Sequence, residues 1–543
     1  MSASPTCRRW LLADRELGSQ ARALAAILGA PVATATRPPQ KGEGLVCRAG
    51  SAELQGRARQ AAETGVPLML AGLLRLDAPP APLASETLVV ALLPVDPAMV
   101  LRDGEAAASA AAVAALEAGT GEAGTGEDTA GWGAALCRSF GLAEDRAGEL
   151  LSSAHVHPSP YEAGTALPAV LALQGVAAAA RRAEVSQKPL FCFGAKSWNH
   201  ATIRAALAGP GGDFAFCASA DEAMARAVRE GGRALGWAAG VSPDIEAAAA
   251  RAGVELWRIE DGFLRSVGLG AGLARGASVG FDNEGIYFDA LRPSRMERLL
   301  GERVLSPAER ARADGLIARI RKARVTKYNV GGTGALPSVP RDRTVILVPG
   351  QVADDAGVRR SLSATIDCAA CDNVNLELLR QVRARSPQAH ILFKPHPDVA
   401  ARLRAGRLEP HETEGLADQV VEGCDILDLV DLADRVETFS SLSGFEALLR
   451  GKPVTVYGMP FYAGWGLTDD LTDCARRGRR LDLATLAHVA FIDYPLTVDP
   501  VSLEPCGPEF LILRLESQRA STRHRIATRI RQELSWLGRK LGL

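Results

Sequence analysis

The feature that most constrains the fold is a regular alternation of short apolar runs with helical patterns. Three continuous apolar runs, at 344–350, 390–397 and 453–458, end at Pro or Gly and are separated by helical patterns at 375–386 and 444–451. Such runs are typical of strands in a parallel sheet that is buried on both faces, and their alternation with helices indicates βαβ units. An earlier part of the chain repeats the alternation. The sequence therefore predicts an α/β protein with two Rossmann-like domains that face each other across a cleft.

Length and local composition divide the chain into five predicted parts. Its 543 residues exceed what one hydrophobic core usually supports. An Ala-rich stretch that runs into the near-repeat GTGEAGTGE is typical of a helix followed by a linker. The predicted parts are a degenerate α/β module fragment at 1–104, an Ala/Gly-rich helix and linker at 105–180, an N-terminal Rossmann-like domain at 181–340, a C-terminal Rossmann-like domain at 341–510 and a basic amphipathic C-terminal helix at 511–543.

The N-terminal fragment is inferred from an internal similarity. The segment at 65–90 resembles the segment at 253–280, but it has Leu and Ala where the later segment has the acidic pair Glu260-Asp261. This similarity indicates a second module that has lost its acidic pair. Chance likeness between two Ala- and Leu-rich α/β segments is the alternative interpretation.

The overall charge argues against a nucleic-acid partner. The chain has 62 Lys and Arg against 63 Asp and Glu, whereas nucleic-acid binders usually carry a basic surplus. No apolar run is long enough to span a bilayer, and the acidic residues near the start are atypical of a signal peptide, so we expect a cytoplasmic protein. The one CxxC pair, Cys368 and Cys371, has no His at zinc spacing, so we expect free thiols and no metal site.

Two groups of carboxylates follow predicted strands. Glu260 and Asp261 come after the run ELWRI, where ligands bind in open parallel sheets, and could act as general acid and base. Gln351, Asp354 and Asp355 follow the run at 344–350, where an Asp could attack an anomeric carbon. An ordinary acidic turn is the alternative for the first group, and an Asp cap on the next helix is the alternative for the second.

Two further segments are suited to bind an anion. Lys394, His396 and Pro397 end a predicted strand, so a cation and an imidazole would meet a phosphate leaving group there. The hydroxyls of Ser440, Ser441 and Ser443 lead into a helix that contains Glu446, and helix N-termini attract anions. The alternative is a Ser443 N-cap with Glu446 completing a capping box.

These segments together resemble the KpsC family of capsular polysaccharide proteins. The similarity covers about 185–505 and is closest to the second of the two modules that family members typically carry. The motifs that carry it are WRIEDGFLRSVGLG, FDNEGIYFDALRPSRME, TKYNVGG, VILVPGQVADDA, FKPHPDV, FSSLSGFEALLRGKPVTVYG and MPFYAGWGLTDD. The resemblance implies a GT-B-like retaining β-Kdo transferase that uses CMP-β-Kdo, where Kdo is 3-deoxy-D-manno-oct-2-ulosonic acid.

The resemblance also implies roles for individual residues. Glu260 would be the acid/base on the acceptor and catalytic side, and Asp355 the nucleophile, with Asp354 as the less favoured neighbour and Asp261 beside Glu260. The CMP-sugar side would hold Lys394, His396, Pro397, Ser440, Ser441, Ser443 and Glu446, and further substrate contacts would come from Arg265, Lys327, Asn329, Gln351, Tyr462 and Trp465. No metal and no cofactor are implied.

The implied partners are CMP-Kdo, a phosphatidylglycerol-linked Kdo acceptor, the inner-membrane surface and other capsule assembly and export proteins. The basic tail, in which apolar residues recur at helical spacing, could lie on an anionic bilayer or pack across the two domains. Two other functions remain open. One is transfer of another CMP-activated acidic sugar, and the other is a non-catalytic scaffold for capsule assembly or export.

Overall fold

The structure is a computed structural model. It describes residues 157–521 except 160, 163–165, 168, 210, 269–273, 330–331, 333, 369 and 403, together with 8–13, 32–40, 43–48, 54–64, 66, 68–71 and 87–89. The predicted linker, up to residue 156, and the predicted tail beyond residue 521 lie outside the described residues.

Strands and helices alternate through most of the described chain. The strands are β1 Arg9–Leu12, β2 Val32–Thr34, β3 Glu43–Arg48, β4 Leu68–Ala71, β5 Thr87–Val89, β6 His157–Pro158, β7 Ala166–Leu167, β8 Leu190–Phe193, β9 Phe214–Phe216, β10 Arg233–Trp237, β11 Leu256–Asp261, β12 Ser278–Asp282, β13 Val345–Pro349, β14 His390–Lys394, β15 Gln419–Val420, β16 Arg435–Thr438, β17 Val454–Val456, β18 Asp469–Asp470 and β19 Pro495–Thr497. The α-helices are α1 Leu54–Thr64, α2 Ala169–Val185, α3 His200–Leu207, α4 Ala220–Glu230, α5 Pro243–Ala252, α6 Arg295–Glu302, α7 Pro307–Ala323, α8 Ala356–Arg359, α9 Val374–Arg385, α10 Pro397–Ala400, α11 Pro410–Thr413, α12 Ile426–Leu432, α13 Leu442–Leu449, α14 Leu483–His488 and α15 Pro508–Ala520. Short 3-10 turns lie at Ser197–Asn199 and Ala238–Gly240, and a π-helical turn lies at Val489–Asp493.

Two six-stranded sheets form the body of the described chain. The first has the order β19-β12-β11-β10-β8-β9, and the second has the order β15-β14-β13-β16-β17-β18. The second sheet is parallel throughout, and its strand β13 is buried along its whole length, as the continuous apolar run predicts. The predicted pair of Rossmann-like α/β sheets is confirmed.

The chain returns to the first sheet at its end. Strand β19 pairs antiparallel with β12, with Gly280 opposite Pro495, although it follows the whole second sheet in the chain. The sequence predicts that 341–510 forms the second domain. Strand β19 lies within this range, but its hydrogen bonds place it in the first sheet. Helix α7, which links the two sheets, packs against α14 and α15. The chain therefore passes between the two large sheets more than once.

The N-terminal sheet has the strand order β2-β1-β3-β4-β5. Its first four strands repeat the order β9-β8-β10-β11 of the first large sheet, and the pairs within both sets are parallel. Strand β4 ends at Leu70-Ala71, and β11 ends at Glu260-Asp261. This matching order agrees with the predicted internal similarity and places the missing acidic pair at the end of the corresponding strand.

Gly262 follows the acidic pair because the backbone there approaches β12 too closely for a side chain. Its amide donates to the Ser278 carbonyl at 2.9 Å, and an added Cβ would collide with the Ser278 hydroxyl. The glycine is therefore required by this close approach. Elsewhere, within the described part of the chain, no helix is both long and apolar enough to cross a membrane.

Candidate active site

A cleft of about 980 Å³ lies between the carboxyl ends of the strands of the two large sheets. Such strand ends are where open α/β sheets bind ligands. Of the residues predicted from sequence, Glu260, Asp261, Asp354, Asp355, Gln351, Lys327, Lys394, His396, Pro397, Ser440, Ser441, Ser443, Glu446 and Tyr462 line it. Arg265, Asn329 and Trp465 do not line the cleft but are buried behind it.

Glu260 and Asp261 end strand β11 at one wall of the cleft. The buried Arg265 donates from Nε to Asp261 Oδ2 at 2.7 Å, which fixes Asp261 as a paired carboxylate. Burial, followed by repulsion from Asp261, raises the pKa of Glu260 to about 8. The acid form of Glu260 is therefore favoured at neutral pH, whereas Asp261 is paired with the Arg265 cation. Arg265 thus supports the Asp261 carboxylate from a buried position.

Lys327 lies in a loop that connects the two halves. Its carbonyl accepts from the amides of Arg265 and Ser266, each at 3.2 Å, and its own amide donates to Glu446 Oε1 at 3.2 Å. Burial disfavours the ammonium, but nearby acidic groups, which include the Tyr287 phenol and Asp261, outweigh it and raise the pKa of Lys327. Lys327 is therefore a permanent cation beside the carboxylate pair.

Asn329 holds this loop in shape. It adopts a left-handed conformation with φ 48°, and its side chain accepts from the Thr326 amide at 2.9 Å and donates to the Ser266 carbonyl at 3.0 Å. The Asn side chain makes hydrogen bonds to backbone groups of its own and a neighbouring loop. Asn adopts the left-handed conformation more readily than most residues, so it is a favourable residue at this position. Its role in the structure is to shape the loop that carries Lys327.

The Asp354-Asp355 loop lines the opposite wall. Asp355 caps α8, since its carboxylate accepts from the Gly357 amide at 3.1 Å, and Arg404 lies 3.2 Å from Asp354 and 3.8 Å from Asp355. The cap that the sequence offers as an alternative therefore exists. It does not remove Asp355 from the cleft, because the side chain is 54% exposed there.

Gln351 and Ser440 connect the ends of β13 and β16. The Gln351 amide group donates from Nε2 to Ser440 Oγ at 3.0 Å, and its Oε1 accepts from the Ser440 amide at 2.8 Å. This reciprocal pair uses both ends of one side chain, so it fixes the position of the Ser440 segment at the cleft.

His396 begins the short helix α10 at the end of β14. Its Nδ1 accepts from the Asp398 amide at 3.1 Å, which leaves the proton on Nε2. Burial lowers the pKa of His396, and burial likewise lowers that of Lys394. His396 is thus a neutral hydrogen-bond donor at neutral pH, and Pro397 fixes the first turn of the helix.

Ser441 is the N-cap of α13, and its side chain accepts from the Ser443 amide at 3.2 Å. A capping box between Ser443 and Glu446 is therefore wrong, because Ser443 lies inside the helix. Burial raises the pKa of Glu446 to about 7. The N-terminus of α13 lies at the cleft with the hydroxyls of this segment around it, and the helix dipole makes this a suitable environment for an anion.

Two aromatic residues predicted as substrate contacts have mainly packing roles. The Tyr462 hydroxyl donates to the Ser441 carbonyl and is fully buried, so it supports the start of α13. The Trp465 indole donates to the Phe461 carbonyl at 2.8 Å within the core. Tyr462 therefore forms part of the cleft lining, whereas Trp465 packs behind it.

Several residues that line the cleft were not predicted from the sequence. Trp237 ends β10 next to the carboxylate strand, and Tyr287, Phe288, Arg359 and Arg404 also line the cleft. The position of Trp237 at the end of a strand could have identified it, whereas the others lie in irregular segments or a short helix. Cys368 and Cys371 are free, and within the described ranges no cluster of three or more His, Cys, Asp or Glu side chains is arranged to hold a metal ion.

Comparison with known proteins identifies relatives in capsule synthesis. The family model "Capsule polysaccharide biosynthesis protein" matches residues 242–497. The capsule polysaccharide modification protein LipA of Neisseria meningitidis serogroup B is 39% identical over 358 residues, which cover 66% of this chain and 49% of LipA. The lipopolysaccharide-processing protein LpsZ of Rhizobium meliloti is 41% identical over 252 residues, which cover 46% of this chain and 55% of LpsZ. The chain thus spans about half the length of these relatives.

A solved structure extends the comparison. The KpsC β-Kdo 2,4-transferase of Thermosulfurimonas dismutans is 30% identical, with a TM-score of 0.53 over 61% of this chain and 98% of that one. Together with the two facing sheets and the cleft between them, this places the protein in the GT-B-like fold class. The chain belongs to the KpsC-like family of capsule polysaccharide proteins.

Proposed function

We propose that this protein is a glycosyltransferase that transfers Kdo from CMP-β-Kdo, with retention, to a lipid-linked Kdo acceptor. The observation that carries the proposal is that Glu260, at the end of a first-sheet strand, and Asp355, which follows a second-sheet strand, line one cleft. Burial raises the pKa of Glu260 to about 8, which favours its acid form at neutral pH. The solved relative, named as a β-Kdo 2,4-transferase, supports the choice of sugar. Family membership supports a role in building the linker of a capsular polysaccharide.

The chemistry is a double displacement. In the first step a carboxylate oxygen of Asp355 attacks the anomeric carbon, the bond from that carbon to the phosphate oxygen breaks, and Glu260 gives its proton to the departing phosphate. In the second step Glu260, now ionised, takes the proton of the acceptor hydroxyl, whose oxygen displaces Asp355. Two inversions give net retention. A pKa of about 8 suits Glu260 to both proton transfers near neutral pH.

The second sheet would bind the nucleotide. The neutral His396 would donate from Nε2 to the phosphate, Lys394 would add positive charge beside it, and the N-terminus of α13 would contribute the positive end of the helix dipole. Because these groups can balance the phosphate charge, we propose that no metal ion is required. Glu446 would lie near the ribose, and its contact with the Lys327 amide would connect the nucleotide to the carboxylate side of the cleft.

A lipid-linked acceptor would lie in a membrane. We propose that the protein works at the cytoplasmic face of the inner membrane, with a phosphatidylglycerol-linked Kdo acceptor and alongside other capsule assembly and export proteins. Its relatives in capsule and lipopolysaccharide processing support this setting.

A transfer assay tests the proposed function. Purified protein given CMP-Kdo and a synthetic lipid-linked mono-Kdo acceptor should release CMP and form a product one Kdo heavier by mass spectrometry, with the β configuration by NMR. The yield should be unchanged by EDTA. Absence of CMP release would refute the transferase, and preference for CMP-sialic acid in a competition assay would refute the choice of sugar.

Replacing His396 with Ala should weaken nucleotide binding. Loss of one hydrogen bond to a charged phosphate is expected to raise the Kd for CMP about 10- to 100-fold. Isothermal titration calorimetry with CMP measures this change, and His411→Ala, an exposed His away from the cleft, is the control. An unchanged CMP affinity in the His396 variant would show that the 394–397 loop does not bind the nucleotide.

A further inference from the structure

A second cavity lies apart from the cleft, where the chain passes between the two large sheets. It has a volume of about 330 Å³ and shares no lining residue with the cleft. Helix α2 forms one wall, and the π-helical turn Val489–Asp493, strand β19 and the start of α15 contribute the others. Helix α7, which links the two sheets, adds Arg312 to the lining. This space, called the junction cavity below, is at the small end of the range for ligand pockets.

Positive charge is concentrated at the junction cavity. Arg181, on α2, and Arg312, on α7, both line it. Burial, followed by repulsion from Arg295, lowers the pKa of Arg181 to about 10, and Arg312 acts in the same direction. Three guanidinium groups are therefore close enough to repel one another around this space.

The three arginines differ in their partners. Arg312 pairs with Glu509, with 3.0 Å between Nε and Oε1. The Arg181 guanidinium donates to the Ile492 carbonyl, and Arg295 donates to three backbone carbonyls at 2.9 to 3.2 Å. In the part of the chain that the structure describes, neither Arg181 nor Arg295 forms an ion pair with an acidic side chain. Their charges are thus met by carbonyl dipoles alone.

The acidic side chains at the junction cavity do not balance this charge. Asp493 lines the cavity, but it already pairs with Arg303 and with His488, each at 3.0 Å. Glu184 also lines the cavity, but its side chain is exposed to solvent and forms no ion pair among the described residues. The Arg181 side of the cavity therefore has an excess of positive charge.

We propose that the junction cavity is a binding site for the phosphate group of a small dissolved molecule, with Arg181 and Arg312 as its main contacts. Guanidinium groups bind phosphate through charge-assisted hydrogen bonds, and these are stronger where water is partly excluded. Apolar parts of the ligand rest on Ala177, Ala178 and Leu496, which also line the cavity. The bound phosphate contacts α2 and α7 together, so it stabilises the packing where the two halves join. This site is independent of the proposed transferase chemistry.

Calorimetric titration with inorganic phosphate tests the proposal. Ionic strength is held constant with chloride, and excess CMP is present to occupy the nucleotide side of the cleft. The wild-type protein should bind phosphate saturably and unfold at a higher temperature as phosphate is added. Arg181→Ala should raise the Kd for phosphate about 10- to 100-fold and abolish the thermal shift, because it removes charge-assisted hydrogen bonds. Arg181→Lys should retain part of the affinity.

A second pair of variants leaves Arg181 in place. Ala177 lies four positions before Arg181 on α2, a spacing at which a Glu and a cation pair favourably on a helix. Ala177→Glu should therefore supply an internal anion, lose phosphate binding and raise the unfolding temperature in the absence of phosphate. Ala177→Gln has nearly the same size without the charge and should bind phosphate nearly as the wild type does. Equal loss in both variants would overturn the assignment to charge.

The remaining arms identify the source of the phosphate and supply a control. Tighter binding of glycerol 3-phosphate than of inorganic phosphate would indicate a phosphorylated metabolite, and the reverse would indicate the free ion. Arg319→Ala removes an exposed Arg from α7, outside the junction cavity, and should behave as the wild type. Absence of saturable phosphate binding in the wild type, or an unchanged Kd in both Arg181→Ala and Ala177→Glu, would overturn the proposal.

Discussion

Replacing Asp355 with Ala is expected to abolish Kdo transfer while leaving CMP binding nearly intact. Without the carboxylate no covalent intermediate can form, and loss of a nucleophile typically lowers kcat by several orders of magnitude, about 10³- to 10⁶-fold. CMP affinity should persist because its proposed contacts come from His396 and the start of α13. Single-turnover transfer assays and calorimetry with CMP measure the two effects separately.

Asp355→Ala also removes a helix cap, so a second variant is needed to separate loss of the nucleophile from loss of stability. Asp355 also caps α8, and loss of an N-cap typically costs about 1 kcal/mol. Asp355→Asn retains an acceptor for the Gly357 amide but is not a nucleophile, so it should be as inactive as the Ala variant. Asp354→Asn is the matched neighbour and should remain active. Capsule formation that survives Asp355→Ala in cells would favour the scaffold function instead.

Replacing Glu260 with Gln should lower kcat about 10²- to 10⁴-fold, the usual contribution of a general acid/base. The pH profile carries a sharper expectation. The pKa of Glu260 is raised to about 8, so its acid form dominates below this value and is lost as the pH rises through it. Because the first step needs the acid form, kcat/KM for CMP-Kdo in the wild type should fall above about pH 8.

Two comparisons make the pH profile specific. The alkaline decline should be absent from Glu260→Gln, since an amide does not titrate. Lys327→Met removes a cation that favours ionised Glu260, so the decline should move to higher pH, whereas Lys327→Arg should keep it in place. A decline near pH 8 that persists unchanged in Glu260→Gln would assign the titration to another group.

The alternation of strands and helices and several strand-end positions of the site were predictable from the sequence. The apolar runs at β13 and β14 and the polar residues that follow them predict part of the second-sheet side of the cleft, because parallel strands bring their carboxyl ends to one edge. The third run is β17, whereas β16, which leads to Ser440, has the sequence RVET and was not predicted as a strand. Glu260 was predictable for the same reason at the end of β11. These inferences need only local pattern and the geometry of a parallel sheet.

Some residue roles could not be predicted from the sequence because they depend on contacts between segments that are distant in the chain. Arg265 looks like a substrate contact in its motif, but it is buried and pairs with Asp261. Glu446 looks like part of a capping box, but it accepts from the Lys327 amide, 119 positions away. Periodicity carries no information about such pairings.

The return of β19 to the first sheet has a consequence for how the protein is made. Gly280 pairs with Pro495, so the edge of the first sheet is completed by residues that leave the ribosome only after the whole second sheet has been synthesised. Until then β12 has an unpaired edge, and such edges are prone to aggregate. Pairing over so long a span of chain is also slow to form. We therefore expect the first half to depend on chaperones during translation, and the cleft to close into its final form as one of the last events of folding.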